Sequence, residues 1–123
     1  MSILAEADRL EAIVQLVGAN ALPDRERMVL LAARLLREGV LQQDALSDND
    51  GHASPAKQAA LLEMVLAVHT RCLELIERGI PASLIEETDL SDVVRAREAA
   101  RADEVEPIRQ VQEEALARLG KLT

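Results

Sequence analysis

The chain has 123 residues, 49% of them apolar and 29% charged, with a net charge of −8 and no Phe, Tyr or Trp. That length argues for one domain with a modest core, and the acidic balance argues against binding nucleic acid or an anionic membrane surface, both of which call for Lys and Arg. A core without aromatic rings must be built from Leu, Ile, Val, Ala and Met, which fill helix interfaces well, so the composition leans to an all-α fold.

The first element is read over Ser2 to Val17. Ser2 can cap it, and Leu10, Ile13, Val14 and Val17 recur at helical spacing. Gly18 stops it, and Ala19 to Leu22 form a short loop. Pro23 suits the first turn of a second helix running to about Glu38, with Asp24 and Glu26 at its positive end. Met28, Leu31, Leu35 and Leu36 are its expected buried face, and Gly39 its expected end. Val40 to Ala45 read as a half-buried connection and Ser47 to Ala53 as a polar loop.

Ser54 caps a third helix, with Pro55 at its first position, expected to run to about Arg78. Leu61, Leu62, Val65, Leu66, Val68, Leu73 and Ile76 form its expected apolar stripe. Gly79-Ile80-Pro81 is a stop signal, and Pro81 to Glu86 can make one or two turns. A fifth helical segment is expected from Thr88 or Asp89 to about Ala102, anchored by Leu90, Val93 and Val94. A last helix is expected from Glu106 to Leu119 on Ile108, Val111, Leu116 and Leu119. The expected fold is a single-domain bundle of five to six helices.

Few side chains point to chemistry. Cys72 is the single cysteine, so it forms no intramolecular disulfide, and its helical neighbours mark it as a packing residue. His52 sits beside Asp48, Asn49 and Asp50, but the run lacks the spacing and terminal Glu of a calcium loop. A capped turn is the expected role of that run, and a satisfied, partly buried imidazole is the expected role of His69. The paired carboxylates, such as Glu86-Glu87 and Glu113-Glu114, read as solvated helix faces. No glycine-rich loop precedes a Lys-Ser/Thr pair, and no serine has a nucleophile-elbow context. No catalytic or metal-ligating residue is assigned. The opening MSILAEADRL has no basic region or long apolar run, so a signal peptide is not expected. Nor does any stretch approach the roughly 20 apolar residues that span a bilayer.

Three pieces of sequence, in order and at family spacing, carry a resemblance. They are I-V-Q-L-V-G at Ile13 to Gly18 followed by Ala21-Leu22-Pro23; Leu41-Gln42-Gln43 followed by a polar residue and Ala45; and Ser54-Pro55 followed by Lys57-Gln58. Together they resemble the C-terminal region of the catalytic A subunit of archaeal/vacuolar-type (V/A-type) rotary ATPases. The likeness is strongest over Leu10 to Lys57 and thins after Arg78, where Gly79-Ile80-Pro81 is similar to the family's Gly-Val-Pro.

The resemblance implies that residues 1–123 are one helical C-terminal domain, with the family's barrel and nucleotide-binding domain absent. ATP and magnesium then belong to that missing domain, and this fragment carries no cofactor and no catalysis of its own. It implies a coupling role in ATP-driven or ATP-forming ion transport, in partnership with the central stalk and the B subunit. It also implies a cytoplasmic location, peripheral to the membrane through the parent complex and without direct insertion. The rotor-contact loop would be Gly18 to Arg27, including Asn20, Leu22, Pro23, Asp24, Arg25 and Glu26. Its mixed charges point to contact by shape more than by a single-sign field. Gln42, Gln43 and Leu46 would lie near the adenine end of the nucleotide site. Family aromatics are replaced there by Val40 and Leu46, and in the third helix by Ala59, Val68 and His69. The alternative reading is a stand-alone helical adaptor that binds a partner helix in an apolar groove.

Overall fold

In the computed structural model of the chain, residues 2–41, 54–100 and 104–123 are described, and among them there is no strand. Helix α1 is Ser2–Val17, followed by a 3-10 turn at Ala19–Ala21 and helix α2 at Asp24–Leu36. A π-helical turn, Arg37–Leu41, prolongs α2. Then come α3 at Pro55–Glu77, α4 at Ala82–Glu86, α5 at Ser91–Val94, α6 at Ala96–Ala99 and α7 at Glu106–Gly120. The architecture is an all-α bundle, as composition and period imply.

Helix α3 is the central element. Ser54 caps it: its Oγ accepts the Lys57 amide at 3.1 Å, and Pro55 occupies the first turn, where no amide proton is needed. Leu61, Met64, Val65, Val68, Cys72 and Leu75 are its buried stripe. They pack against Met28, Leu31, Leu35 and Leu36 of α2, Ile85 of α4, Val93 of α5, and Ile108, Ala115 and Leu119 of α7. The stripe is rotated from the expected one. Leu66 is 37% exposed, and Leu62, Leu73 and Ile76 are half-buried at the rim, while Met64 and Leu75 take the centre. A helix enclosed on several sides buries more than one arc, so apolar spacing alone does not fix its centre.

A second, smaller core joins α1 to the outer side of α2 through Ala7, Leu10, Leu22, Val29 and Ala33, with Ile13, Val14 and Leu30 at its edge. Val17, expected on this face, is instead exposed.

Two boundaries differ from expectation. Gly39 does not end the second helix; the chain continues through it in the wider π turn. A Cβ at Gly39 would stand 3.3 Å from Val93 O and Val94 Cα, so glycine is there because the α5 backbone crosses close by. The fifth segment is not one helix to Ala102. It breaks at Arg95 (φ −97°, ψ 6°) into α5 and α6, and Ala100 is extended. Leu90, Val93, Ala96 and Ala100 are buried along its described part, and bending the chain around α7 keeps those side chains on the core.

Lys57 is buried, 2% exposed, and its Nζ donates to Ala100 O at 2.9 Å. A buried ammonium needs an acceptor, and this one fastens the end of α6 to the start of α3. Arg118 of α7 does similar work at the other end, donating to Asp89 O and to the Asp92 carboxylate.

Candidate functional site

The stretch Gly18 to Arg27 forms a tight helix-to-helix tip. The Gly18 amide donates to Val14 O at 2.7 Å, and the residue then turns to φ 88°, ψ 154°, a region essentially reserved for glycine. One 3-10 turn follows, closed by the Leu22 amide on Ala19 O at 3.1 Å. Leu22 is buried in the smaller core and anchors the turn from beneath. Pro23 is extended and leads into α2, while Asn20 stands exposed.

Three of the four charges of the tip, those of Asp24, Arg25 and Arg27, bind other helices of the bundle. The Asp24 carboxylate accepts the Ala82 amide at 3.1 Å and so caps α4 from another helix. Arg25 pairs with Glu77 of α3 at 3.2 Å. Arg27 makes a two-pronged pair with Glu86 of α4, with its Nε 3.1 Å from Oε2 and its Nη2 on Oε1. That carboxylate, before any other group, raises the Arg27 pKa further above its ordinary value. Glu26 is half-buried on the same first turn of α2.

Two large apolar side chains face solvent at the tip, beside the polar Asn20. Leu16 is 86% exposed and Val17 61% exposed. From Gln15 to Pro23 there is no charged residue. An exposed Leu-Val pair on a rigid, uncharged turn can make packing contacts with a partner, and it carries no group able to do covalent or proton-transfer chemistry. Sequence pattern singles out Asp24, Arg25, Glu26 and Arg27 but misses Leu16 as a surface group. Leu16 lies off the stripe formed by Leu10, Ile13 and Val14, and that offset is the available signal.

Shallow, open grooves of about 510, 540 and 260 Å³ flank α2, and Arg34 lines all three. The first also holds Ser91 beside Asp89, where the carboxylate accepts the Ser91 amide at 3.0 Å as a local turn at the start of α5. Among the described residues, no group of three or more His, Cys, Asp or Glu converges to hold a metal. Cys72 is buried, and burial pushes its thiol up to about 11, which leaves it almost wholly protonated. His69 departs from expectation: its Nδ1 is shielded from solvent and has no hydrogen-bond partner among the described residues. The nucleotide-proximal candidates Gln42, Gln43 and Leu46 lie outside the described residues, as does His52 with Asp48, Asn49 and Asp50. Of the positions that replace family aromatics, Val40 and Val68 are in the main core, His69 is half-buried and Ala59 is exposed.

Fold and tip together define a class: an all-α bundle domain whose first two helices meet in a tight helix-turn-helix tip. Residues 1–94 match the family model described as the C-terminal domain of V and A type ATP synthase, and the chain belongs to that family. Similar curated proteins include the A subunit of the A-type ATP synthase of Methanococcus maripaludis (strain C5), 42% identical over 98 residues. That alignment spans 79% of this chain and 17% of the relative. The A subunit of the A-type ATP synthase of Thermococcus onnurineus is 42% identical over 85 residues, 69% of this chain and 14% of the relative. The V-type ATP synthase alpha chain of Halothermothrix orenii is 40% identical over 99 residues, 80% of this chain and 17% of the relative. The chain thus spans less than a fifth of the length of these relatives. Residues 95–123 lie beyond the family match, yet α7 packs on α3 in the same core.

Proposed function

We propose that this domain couples the catalytic sector of a V/A-type ATP synthase to its rotor, with Leu16, Val17 and the Gly18–Leu22 turn as the contact. The observation that carries the reading is the pairing of an exposed Leu-Val tip with a base in which Asp24, Arg25 and Arg27 are engaged by other helices. Asp24, Arg25 and Arg27 bind α4 and α3, so a push on the tip is transmitted into the bundle instead of bending the first turn of α2. Contact is by shape and packing. The rotor partner is the central stalk, and the neighbouring catalytic-sector partner is the B subunit.

The same reading treats residues 1–123 as one structural domain without catalysis of its own. It assigns ATP and magnesium to a nucleotide-binding domain outside this chain. It also assigns the domain to the cytoplasmic, membrane-peripheral sector. In support, no described helix is long and apolar enough to cross a membrane.

The test places Leu16→Ser with Val17→Ser in the full-length catalytic polypeptide, within a reconstituted complex. Both side chains are exposed, so the fold should be retained. ATP hydrolysis should continue while ATP-driven pumping or rotational torque falls, and Leu84→Ser, at another exposed site, should change neither. Unaltered coupling in the double variant would remove the lever role. Deleting Ala19 to Leu22 is a poorer test, because it also removes the buried anchor Leu22.

A further inference from the structure

Arg34 of α2 and Arg95, at the break between α5 and α6, line one groove of about 510 Å³, with Asp89, Ser91 and Val94 between them. Both arginines are exposed. Most cations of the bundle are committed elsewhere: Arg25, Arg27, Arg37 and Arg118 each meet a carboxylate of another helix at 3.2 Å or less. Arg34 leans only on Glu38, one turn on, at 3.7 Å and in solvent, where such a pair holds weakly. Arg95 makes no ion pair among the described residues, although its field reaches Asp89.

Asp89 is the carboxylate of the groove, and its oxygens are turned to its own chain. It accepts the Ser91 amide at 3.0 Å. The Ser91 hydroxyl, first, and that amide, second, hold its pKa below the usual carboxylate range. The wall that carries it is fixed from α7, since Arg118 donates to Asp89 O and to the Asp92 carboxylate. The lining therefore brings two cations against one internally bonded anion, in a chain whose net charge is −8.

We propose that this groove is a binding site for a phosphate group, held by Arg34 from one side and Arg95 from the other. A guanidinium offers paired N–H donors that match two oxygens of an oxyanion. A phosphate dianion satisfies both cations, whereas a carboxylate carries one charge and leaves one guanidinium unmatched. Val94 gives the groove an apolar side, against which the organic body of a phosphate monoester rests. Binding displaces only the loose contact of Arg34 with Glu38 and leaves the core as it is. Both guanidinium groups lie in solvent, so the attraction weakens as salt rises. This site does not depend on the rotor-coupling reading.

Nuclear magnetic resonance titration of the 123-residue chain tests it, at constant ionic strength and about pH 7.5, where a monoester with a second pKa of about 6 is mostly dianionic. The probes are phenyl phosphate, inorganic phosphate and benzoate. Phenyl phosphate should give saturable shifts confined to the amides of Thr88 to Arg95 and the Nε–H groups of Arg34 and Arg95. Benzoate, with the same ring and a carboxylate head, should bind more weakly. Tighter binding of phenyl phosphate than of inorganic phosphate assigns the site to monoesters, and equal binding assigns it to free phosphate. Arg34→Gln and Arg95→Gln should each weaken binding by about threefold to tenfold. Arg78→Gln and Arg109→Gln, at exposed arginines elsewhere, should leave it unchanged. Shifts that never saturate, that spread equally to Arg78 and Arg109, or that benzoate reproduces in full overturn the proposal. Unchanged affinity in the Arg34 and Arg95 variants overturns it too. Should those variants fail to fold, the location and saturation of the shifts in the parent chain decide.

Discussion

Asp24 and Ala82 are 58 residues apart, and the carboxylate of the first accepts the backbone amide of the second at 3.1 Å. Pro81, which precedes α4, has no side chain able to cap it, so α4 borrows its cap from α2. The borrowed bond ties the first residue of α4 to the first residue of α2.

Removing that cap should be measurable. Asp24→Ala is expected to cost about 0.5–2 kcal/mol, the range for losing an N-terminal cap. Asp24→Asn keeps an acceptor oxygen and should cost less. Urea denaturation followed by circular dichroism checks both. A variant Asp24→Ala as stable as the parent would show that solvent caps α4 equally well.

The centre of α3 separates two leucines that the sequence grouped in one stripe. Leu61→Ala removes fully buried methyl groups and should cost about 2–5 kcal/mol. Leu66→Ala, at a partly exposed site, should stay within about 0.5 kcal/mol. Thermal melts of the two variants, run side by side, distinguish the observed face from the expected one.

Gly39→Ala tests the crossing of the π turn over α5. The new Cβ meets backbone atoms of Val93 and Val94 at 3.3 Å, and backbone yields less readily than a flexible side chain. A loss of about 1–3 kcal/mol is expected, as for other overpacked sites. Gly18→Ala meets no atom within 4 Å but must hold φ 88°, and should lose about 1–3 kcal/mol through backbone strain alone. Comparing the crystal structures of the two variants reads the difference: displacement of α5 in the first and a rearranged turn in the second.

Cys72 should be inert in the folded chain. With its thiol pushed up to about 11 by burial, the thiolate at pH 8 is about a hundredfold scarcer than for a pKa of 9.0, before access is counted. A chromogenic disulfide reagent should label it at a negligible rate in buffer and fully in denaturant. Rapid labelling of the native chain would mean that α3 opens toward solvent at that turn.

Composition and punctuation determined the fold class. An aromatic-free apolar set at helical spacing, with stops at Gly18 and Gly79 and starts at Pro23 and Ser54-Pro55, describes helices whose ends are local events. Caps and breakers act within a turn of themselves, so α1, α2, α3 and α7 were legible in outline. The motifs around Ile13 to Gly18 and Ser54 to Lys57 carried the family for the same reason: they are contiguous stretches of chain.

Tertiary structure decided the rest. Gly39 looks like a stop until Val93 and Val94 are seen against it. The run from Ser91 to Ala100 looks like one helix until its few buried side chains must follow α7. Asp24, Arg25 and Arg27 look like a charged surface until their partners Ala82, Glu77 and Glu86 arrive from more than 50 residues away. Pairings across such separations depend on how helices pack and leave no trace in local spacing. That Asp24, Arg25 and Arg27 fasten the bundle, while Leu16 and Val17 stand exposed, was therefore visible only when the helices came together.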